Sequence, residues 1–167
     1  MASNDNVSEQ AAALVAYEYR TMLATAEALE TIDLEVTDSE YDEGWELQER
    51  VYLEAFLVHY RNLLDFLSPR KKKLDPRDIT AGPFLGKPQD HRLQGVPNDY
   101  RDAIDKRLSH LSTARGNGQH DWPGSTMRDR LRVSYEAFLN LLMDERKRWF
   151  THPRQVVKQR RPGFYRS

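Results

Sequence analysis

Two blocks of the sequence place basic, amide and carboxylate side chains at helical spacing, where they could perform acid-base chemistry. The blocks are FLVHYRNLLDFL and DKRLSHLSTAR. Their polar residues of interest are His59, Arg61, Asn62 and Asp65 in the first and Lys106, His110 and Arg115 in the second. If the two helices pack together, His59 and His110 meet as general base and general acid, with Arg61 or Arg115 stabilising an anion. This set predicts metal-free RNA cleavage.

We therefore assign hypothetical catalytic roles to three of these side chains and binding roles to the others. The catalytic set is His59, Arg61 and His110; the binding set is Asn62, Asp65, Lys106 and Arg115. A structural interpretation stays open beside this one. In it, the same residues form a satisfied network, with each histidine bonded to a carbonyl and Arg61 paired with Asp65 at the i, i+4 spacing.

The composition excludes several other kinds of site. The chain has no cysteine, which rules out disulfides, thiolate nucleophiles and cysteine-ligated zinc or iron-sulfur centres. Asp75, Asp78 and Asp90 lie in one stretch but lack the regular spacing of a calcium-binding loop. We predict no metal and no cofactor.

The apolar periodicity predicts four helices, and nothing in the sequence is typical of a strand. The helices are expected over residues 8–31, 41–67, 98–115 and 125–151. Five of the eight prolines fall between residues 68 and 98, which predicts a 31-residue loop between helices two and three. Ile79, Phe84 and Leu85 are expected to hold this loop against the core. The predicted fold is an all-α four-helix bundle with a long Pro-rich loop.

The charge is distributed unevenly although the net charge is only -1. Residues 1–49 contain thirteen acids and one base, whereas residues 146–167 contain eight bases and no acid. We expect one helical domain over residues 1–150 and a basic tail over 151–167. Such a tail can dock on its own acidic domain, contact a second copy of the chain, or bind nucleic acid.

Blocks His59 to Phe66 and Lys106 to Arg115 resemble those of small bacterial all-helical proteins, which are themselves similar to the HEPN (higher-eukaryote and prokaryote nucleotide-binding) group. The resemblance covers about residues 45–145. It implies a helical bundle and, as in many members, a metal-independent ribonuclease activity. Arg61 followed by Asn62 resembles the opening of the HEPN motif. Positions 66–68, where the histidine of that motif would stand, hold Phe, Leu and Ser.

Three functions follow as hypotheses. The first is an HEPN-like protein that binds nucleotide or RNA at the polar site, with or without cleavage. The second is a non-catalytic module that binds a protein partner or forms a homo-oligomer. The third is nucleic-acid binding through the tail and the Arg70–Lys73 run. The acidic N-terminus and the lack of a long apolar run predict a cytoplasmic protein with no membrane contact.

Overall fold

The computed structural model describes residues 7–35, 43–70, 74–109 and 122–151. Within these ranges the chain forms six helices and no strand, which confirms the all-α class. No helix there has the length and apolar character needed to cross a bilayer. Except for Thr151, the predicted basic tail lies outside the described residues. The helices are α1 (Glu9–Glu35), α2 (Glu43–Leu67), α3 (Ala81–Phe84), α4 (Arg101–Ser109), α5 (Gly124–Leu141) and α6 (Asp144–Thr151).

Helices α1 and α2 form the largest helix-helix interface of the fold, and both lie close to the positions predicted for them. Ser8 caps α1, since its Oγ accepts the backbone N–H of Ala11 at 3.1 Å. The apolar positions of the two helices face each other and are buried, among them Met22 and Phe56, which are fully covered. Local periodicity is therefore a sufficient guide to this part of the fold.

The connection between α2 and α4 is anchored to the core rather than loose. The side chain of Phe84, at the end of the short helix α3, is 1% exposed, and Ile79 and Leu85 pack against the same core, as expected. Gly82 allows the connection to fold tightly, because a Cβ there would lie 2.0 Å from the carbonyl oxygen of Pro88. The backbone N–H of Leu93 also donates to the carbonyl of Leu67 at the end of α2. The connection is thus a fixed wall beside α2.

The prediction of one helix over residues 125–151 was wrong, because the chain breaks at Leu142 into α5 and α6. Leu142 has an extended backbone (φ -77°, ψ 147°) and is buried. In a continuous helix, Phe138 and Phe150 would stand about 18 Å apart along the axis. Their ring centroids are instead 5.1 Å apart. Burial of Phe150 against the core therefore favours the break, and Asp144 in the first turn of α6 suits a new helix start.

Helix α4 begins three residues later than the start predicted at residue 98. The carbonyl of Asn98 accepts the backbone N–H of Arg101 at 3.2 Å, and the regular helix starts at Arg101. The helix packs on α2 and is described as far as Ser109. Residues 110–121, with His110 and Arg115, lie outside the described residues.

Replacing Tyr135 by phenylalanine is expected to stabilise the protein. The ring of Tyr135 is 2% exposed and stacks on Tyr19 at 3.9 Å, but no described residue bonds its hydroxyl. Leaving a buried hydroxyl unbonded costs about 1–3 kcal/mol, so its removal should raise the free energy of unfolding by about 1 kcal/mol at pH 7. Urea denaturation measures the change. Tyr17→Phe, at a 54% exposed position, is the control expected to show none.

Alkaline pH extends the same test. Burial raises the pKa of the Tyr135 hydroxyl above its usual value, so above about pH 10 the unfolded chain loses a proton that the folded chain keeps. Stability then falls as pH rises, by up to about 1.4 kcal/mol per pH unit for this group. Tyr135→Phe should remove that share of the slope. If Tyr135→Phe loses stability at pH 7 and its stability falls with pH as steeply as that of the unaltered chain, the Tyr135 hydroxyl is not a buried, unbonded group.

Candidate functional site

His59 lies on the side of α2 that faces α1. Its Nδ1 is 2.7 Å from Oε2 of Glu18, and the amide of Asn62 donates to the same oxygen at 3.0 Å. The ring of Tyr17 meets the imidazole edge-on, and the side chain of His59 is 15% exposed. A carboxylate at Nδ1 favours the tautomer that carries the proton on that atom and leaves Nε2 as the acceptor. Glu18 therefore orients this histidine, as a carboxylate does in many proton-transfer sites.

Arg61 points instead toward α4. Its Nε lies 2.9 Å from Oδ1 of Asp105 and 3.9 Å from Oδ2 of Asp65. The orientation of the closer pair does not make a hydrogen bond, so the contact is an ion pair. The i, i+4 pair of Arg61 with Asp65 expected in the structural interpretation is thus present, but the closer partner of Arg61 comes from another helix.

Asp105 connects three parts of the chain. Besides Arg61 on α2, it accepts a hydrogen bond from Nη2 of Arg70 at 2.6 Å, at the start of the connection. Its side chain is 21% exposed. One carboxylate on α4 is therefore shared by two guanidinium groups, which fixes α4 against α2 and holds both arginines in place.

An open cleft lies beside this shared carboxylate. It has a volume of about 270 Å³ and is bounded by α2, the connection and α4. Its walls include both charged groups and apolar side chains. The residues lining it are Arg61, Asn62, Asp65, Phe66, Pro69, Arg70, Leu74, Asp78, Ile79, Thr80 and Asp105. The cleft can offer hydrogen-bond donors from amide and guanidinium groups together with carboxylate acceptors.

Arg101, the first residue of α4, is a buried cation next to this cleft. Its side chain donates to Oδ1 of Asp65 at 3.1 Å and to the carbonyl of Leu64 at 2.8 Å. Desolvation lowers the pKa of the Arg101 guanidinium, Asp65 counteracts that effect, and the positive charges of Arg70 and Arg92 lower the pKa further. Several arginines therefore lie close enough to repel one another.

The structure brings together only part of the set predicted from the sequence. Arg61, Asn62 and Asp65 line the cleft, whereas His59 is turned toward Glu18 and Lys106 is not one of the lining residues. The predicted meeting of His59 with His110 and the role of Arg115 fall outside the described residues. Among the residues that are described, no three His, Asp or Glu side chains cluster as metal ligands.

Sequence reasoning missed Glu18, Asp105 and Arg101, and placed Arg70 only in a basic run. Glu18 is separated from His59 by 41 positions, and no local pattern connects them. Arg101 carries one local signal, because a cation in the first turn of a helix is opposed by the helix dipole. Such a residue requires a partner elsewhere, which here is Asp65. Comparison of the whole chain found no matching protein-family model, curated protein or solved structure.

Proposed function

We propose that the protein is an HEPN-like four-helix bundle that binds RNA or a nucleotide in the cleft between α2, the connection and α4. The observation that supports this proposal most is the composition of one open cleft. Asn62, Arg61 and Asp65, singled out by their spacing, line it together with Arg70 and Asp105. Amide, guanidinium and carboxylate groups are those that read the edges of unpaired bases and contact phosphates.

The bundle is supported by the way in which the longer helices pack. Helix α1 packs on α2, α5 and α6, and α2 also packs on α4 and α5, so the four longer helices share one core to which α6 contributes. In this arrangement the short helices α3 and α6 close the core at the end marked by Phe84 and Phe150. The cleft then lies on the outside of the bundle, where a nucleic-acid strand can reach it.

Metal-independent cleavage by His59, Arg61 and His110 is the stronger form of this proposal. The contact of Glu18 with Nδ1 of His59 supports it, because no described residue bonds Nε2, which is the atom a general base would use. His59 shares Glu18 with Asn62 but does not itself line the cleft, which supports binding without cleavage. We therefore take binding as the conclusion and cleavage as an additional activity to be measured in the same samples.

Asn62→Ala is expected to weaken binding of a short single-stranded RNA by about three- to tenfold, the effect of losing one hydrogen bond. Fluorescence anisotropy of labelled RNA at low salt measures the affinity. Asn140→Ala removes an exposed asparagine from α5, outside the cleft, and is the matched control expected to bind as the unaltered chain does. If the RNA does not bind the unaltered chain, or if both variants weaken binding equally, the cleft is refuted as the binding site.

The same RNA, recovered from the titrations, reports on cleavage. Intact RNA without metal agrees with binding alone. If the unaltered chain shortens the RNA and a folded His59→Ala variant leaves it intact, cleavage is assigned to this histidine.

A homo-oligomer is the second candidate, favoured by an exposed apolar stripe on α2. Leu47, Val51 and Val58 recur at helical spacing and are 65%, 57% and 40% exposed. A second copy is the partner that the charges suit, since residues 1–49 are strongly acidic and residues 146–167 strongly basic. Sedimentation velocity would detect it as association that weakens with salt.

A further inference from the structure

A second hollow, next to the cleft, collects positive charge at the start of α4. Its volume is about 250 Å³. The residues lining it are Ser68, Arg70, Arg92, Asn98, Arg101 and Asp102. Three of these residues are arginines, and the one carboxylate among them, Asp102, has a side chain that is 92% exposed to water. Arg70 and Arg101 are also paired with Asp105 and Asp65, so Arg92 is the arginine of this hollow without a carboxylate partner among the described residues. We call this hollow the arginine pocket.

Arg101 is the buried element of the arginine pocket. The residue is 7% exposed, and its two terminal nitrogens are bonded to Asp65 and to the carbonyl of Leu64. Its Nε is buried and has no hydrogen-bond partner among the described residues. Arg101 therefore contributes a fixed positive charge to the wall of the pocket rather than free hydrogen-bond donors.

The guanidinium of Arg92 is held by its Nε, which leaves both terminal nitrogens open. Its Nε donates to the carbonyl of Pro69 at 2.9 Å, which fixes the stem of the guanidinium beside the end of α2. No described residue accepts a hydrogen bond from its terminal nitrogens, and the side chain is exposed. A guanidinium fixed at Nε and open at both terminal nitrogens is arranged for a bidentate contact with an anion.

Two further features add to the positive potential. Arg70 and Arg92 lie close enough to Arg101 to repel its charge, and both lower its pKa, while Asp65 and Asp105 act in the opposite direction. The first turn of α4 also contributes its backbone dipole, because Arg101 and Asp102 are the first two residues of that helix. An anion with more than one negative charge would relieve this repulsion.

Arg70 connects the arginine pocket with the cleft, and this connection indicates what kind of molecule carries the anion. Arg70 lines both the cleft and the arginine pocket, so the two hollows meet at its guanidinium. Each hollow is smaller than the roughly 300–1,000 Å³ of ordinary ligand sites, and a ligand of nucleotide size has to occupy both. The cleft supplies base-reading groups, and the pocket supplies cations.

We propose that the arginine pocket binds a terminal phosphate monoester of a nucleotide or RNA end, with the attached nucleoside in the neighbouring cleft. This inference rests on the proposed function and specifies the ligand. A terminal phosphate carries close to two negative charges at pH 7 and three free oxygens, whereas an internal phosphodiester carries one charge. The positive charges that line the pocket, with the open terminal nitrogens of Arg92, therefore favour the terminal group over the internal ones.

The test compares one short RNA with and without a terminal phosphate. The unaltered chain is expected to bind the phosphorylated RNA about tenfold more tightly than the hydroxyl-ended RNA, as measured by calorimetry at low salt. Arg92→Ala should abolish this preference. Arg92 is exposed, so the variant should fold. Arg77→Ala replaces another exposed arginine of the connection, one that lines neither hollow, and should keep the preference.

The outcomes separate this inference from the proposed function. Equal binding of the two RNAs by the unaltered chain, or an undiminished preference in Arg92→Ala, overturns the arginine pocket while RNA binding itself stands. Failure of RNA, adenosine monophosphate and adenosine to bind at all overturns both. Adenosine monophosphate and adenosine also distinguish the source of the phosphate. Tight binding of the mononucleotide indicates a free nucleotide, and much tighter binding of phosphorylated RNA indicates an RNA end.

Discussion

Phe138→Ala is expected to lower the free energy of unfolding by about 3–5 kcal/mol, the usual cost of removing a fully buried phenyl ring. Phe138 is 0% exposed, and its ring meets those of Phe66 and Phe150 edge-on at 5.0 and 5.1 Å. These contacts join α5 to α2 and α6, so the cavity would loosen three helices together. Urea denaturation followed by circular dichroism measures the loss. Leu141→Ala, a 63% exposed position on the same helix, should change stability by less than about 0.5 kcal/mol.

A double-mutant cycle between Phe138 and Phe150 tests the break at Leu142 directly. Rings in edge-on contact should show a coupling of about 0.5–1.5 kcal/mol. Side chains separated along a continuous helix by about 18 Å would show none. Additive effects of the two substitutions would therefore contradict the return of α6 onto the core.

Asp105→Asn is expected to change stability and ligand affinity in opposite directions. The carboxylate of Asp105 lies 2.9 Å from Nε of Arg61 and 2.6 Å from Nη2 of Arg70. Removing its charge while keeping its shape should lower the free energy of unfolding by about 1–3 kcal/mol, because two charged contacts between α4 and the rest of the fold weaken. Thermal denaturation at constant salt measures this loss.

The same substitution should strengthen binding of a phosphorylated RNA by about three- to tenfold, since Arg61 and Arg70 are then less neutralised. Asp102→Asn, at a 92% exposed position of α4, is the control for stability and should cost less than about 0.5 kcal/mol. Weaker binding by Asp105→Asn would mean that this carboxylate itself contacts the ligand. Unchanged stability would mean that its two ion pairs do not hold α4 in place.

Much of the helical framework could be predicted because its signals are local. The Ser8 cap, the apolar stripes of α1 and α2 and the Arg61–Asp65 pair each depend on residues within a few positions of one another. The anchoring of the connection also followed from three apolar residues among prolines, Ile79, Phe84 and Leu85. Such patterns determine which face of each element is buried before any partner is known.

The site was harder to predict because its contacts join distant positions. Glu18 reaches His59 across 41 residues, and Asp105 reaches Arg61 and Arg70 from another helix. The sequence placed His59 and Arg61 in one site, with His110 as the partner of His59 and Arg61 stabilising an anion. On a helix, however, residues two positions apart point in very different directions, and here they turn toward α1 and α4 respectively.

The sequence by itself determined that this chain is helical, where its two longest helices lie, and that Arg61 and Asp65 are one turn apart on the second of them. Only the tertiary structure decided that the last predicted helix breaks at Leu142, since burying Phe150 beside Phe138 outweighs unbroken backbone hydrogen bonding. It also decided which charges are neutralised. Asp65 and Asp105 contact Arg61, Arg70 and Arg101, while Arg92 keeps its terminal nitrogens open, because neutralisation depends on distances between elements that no local pattern encodes.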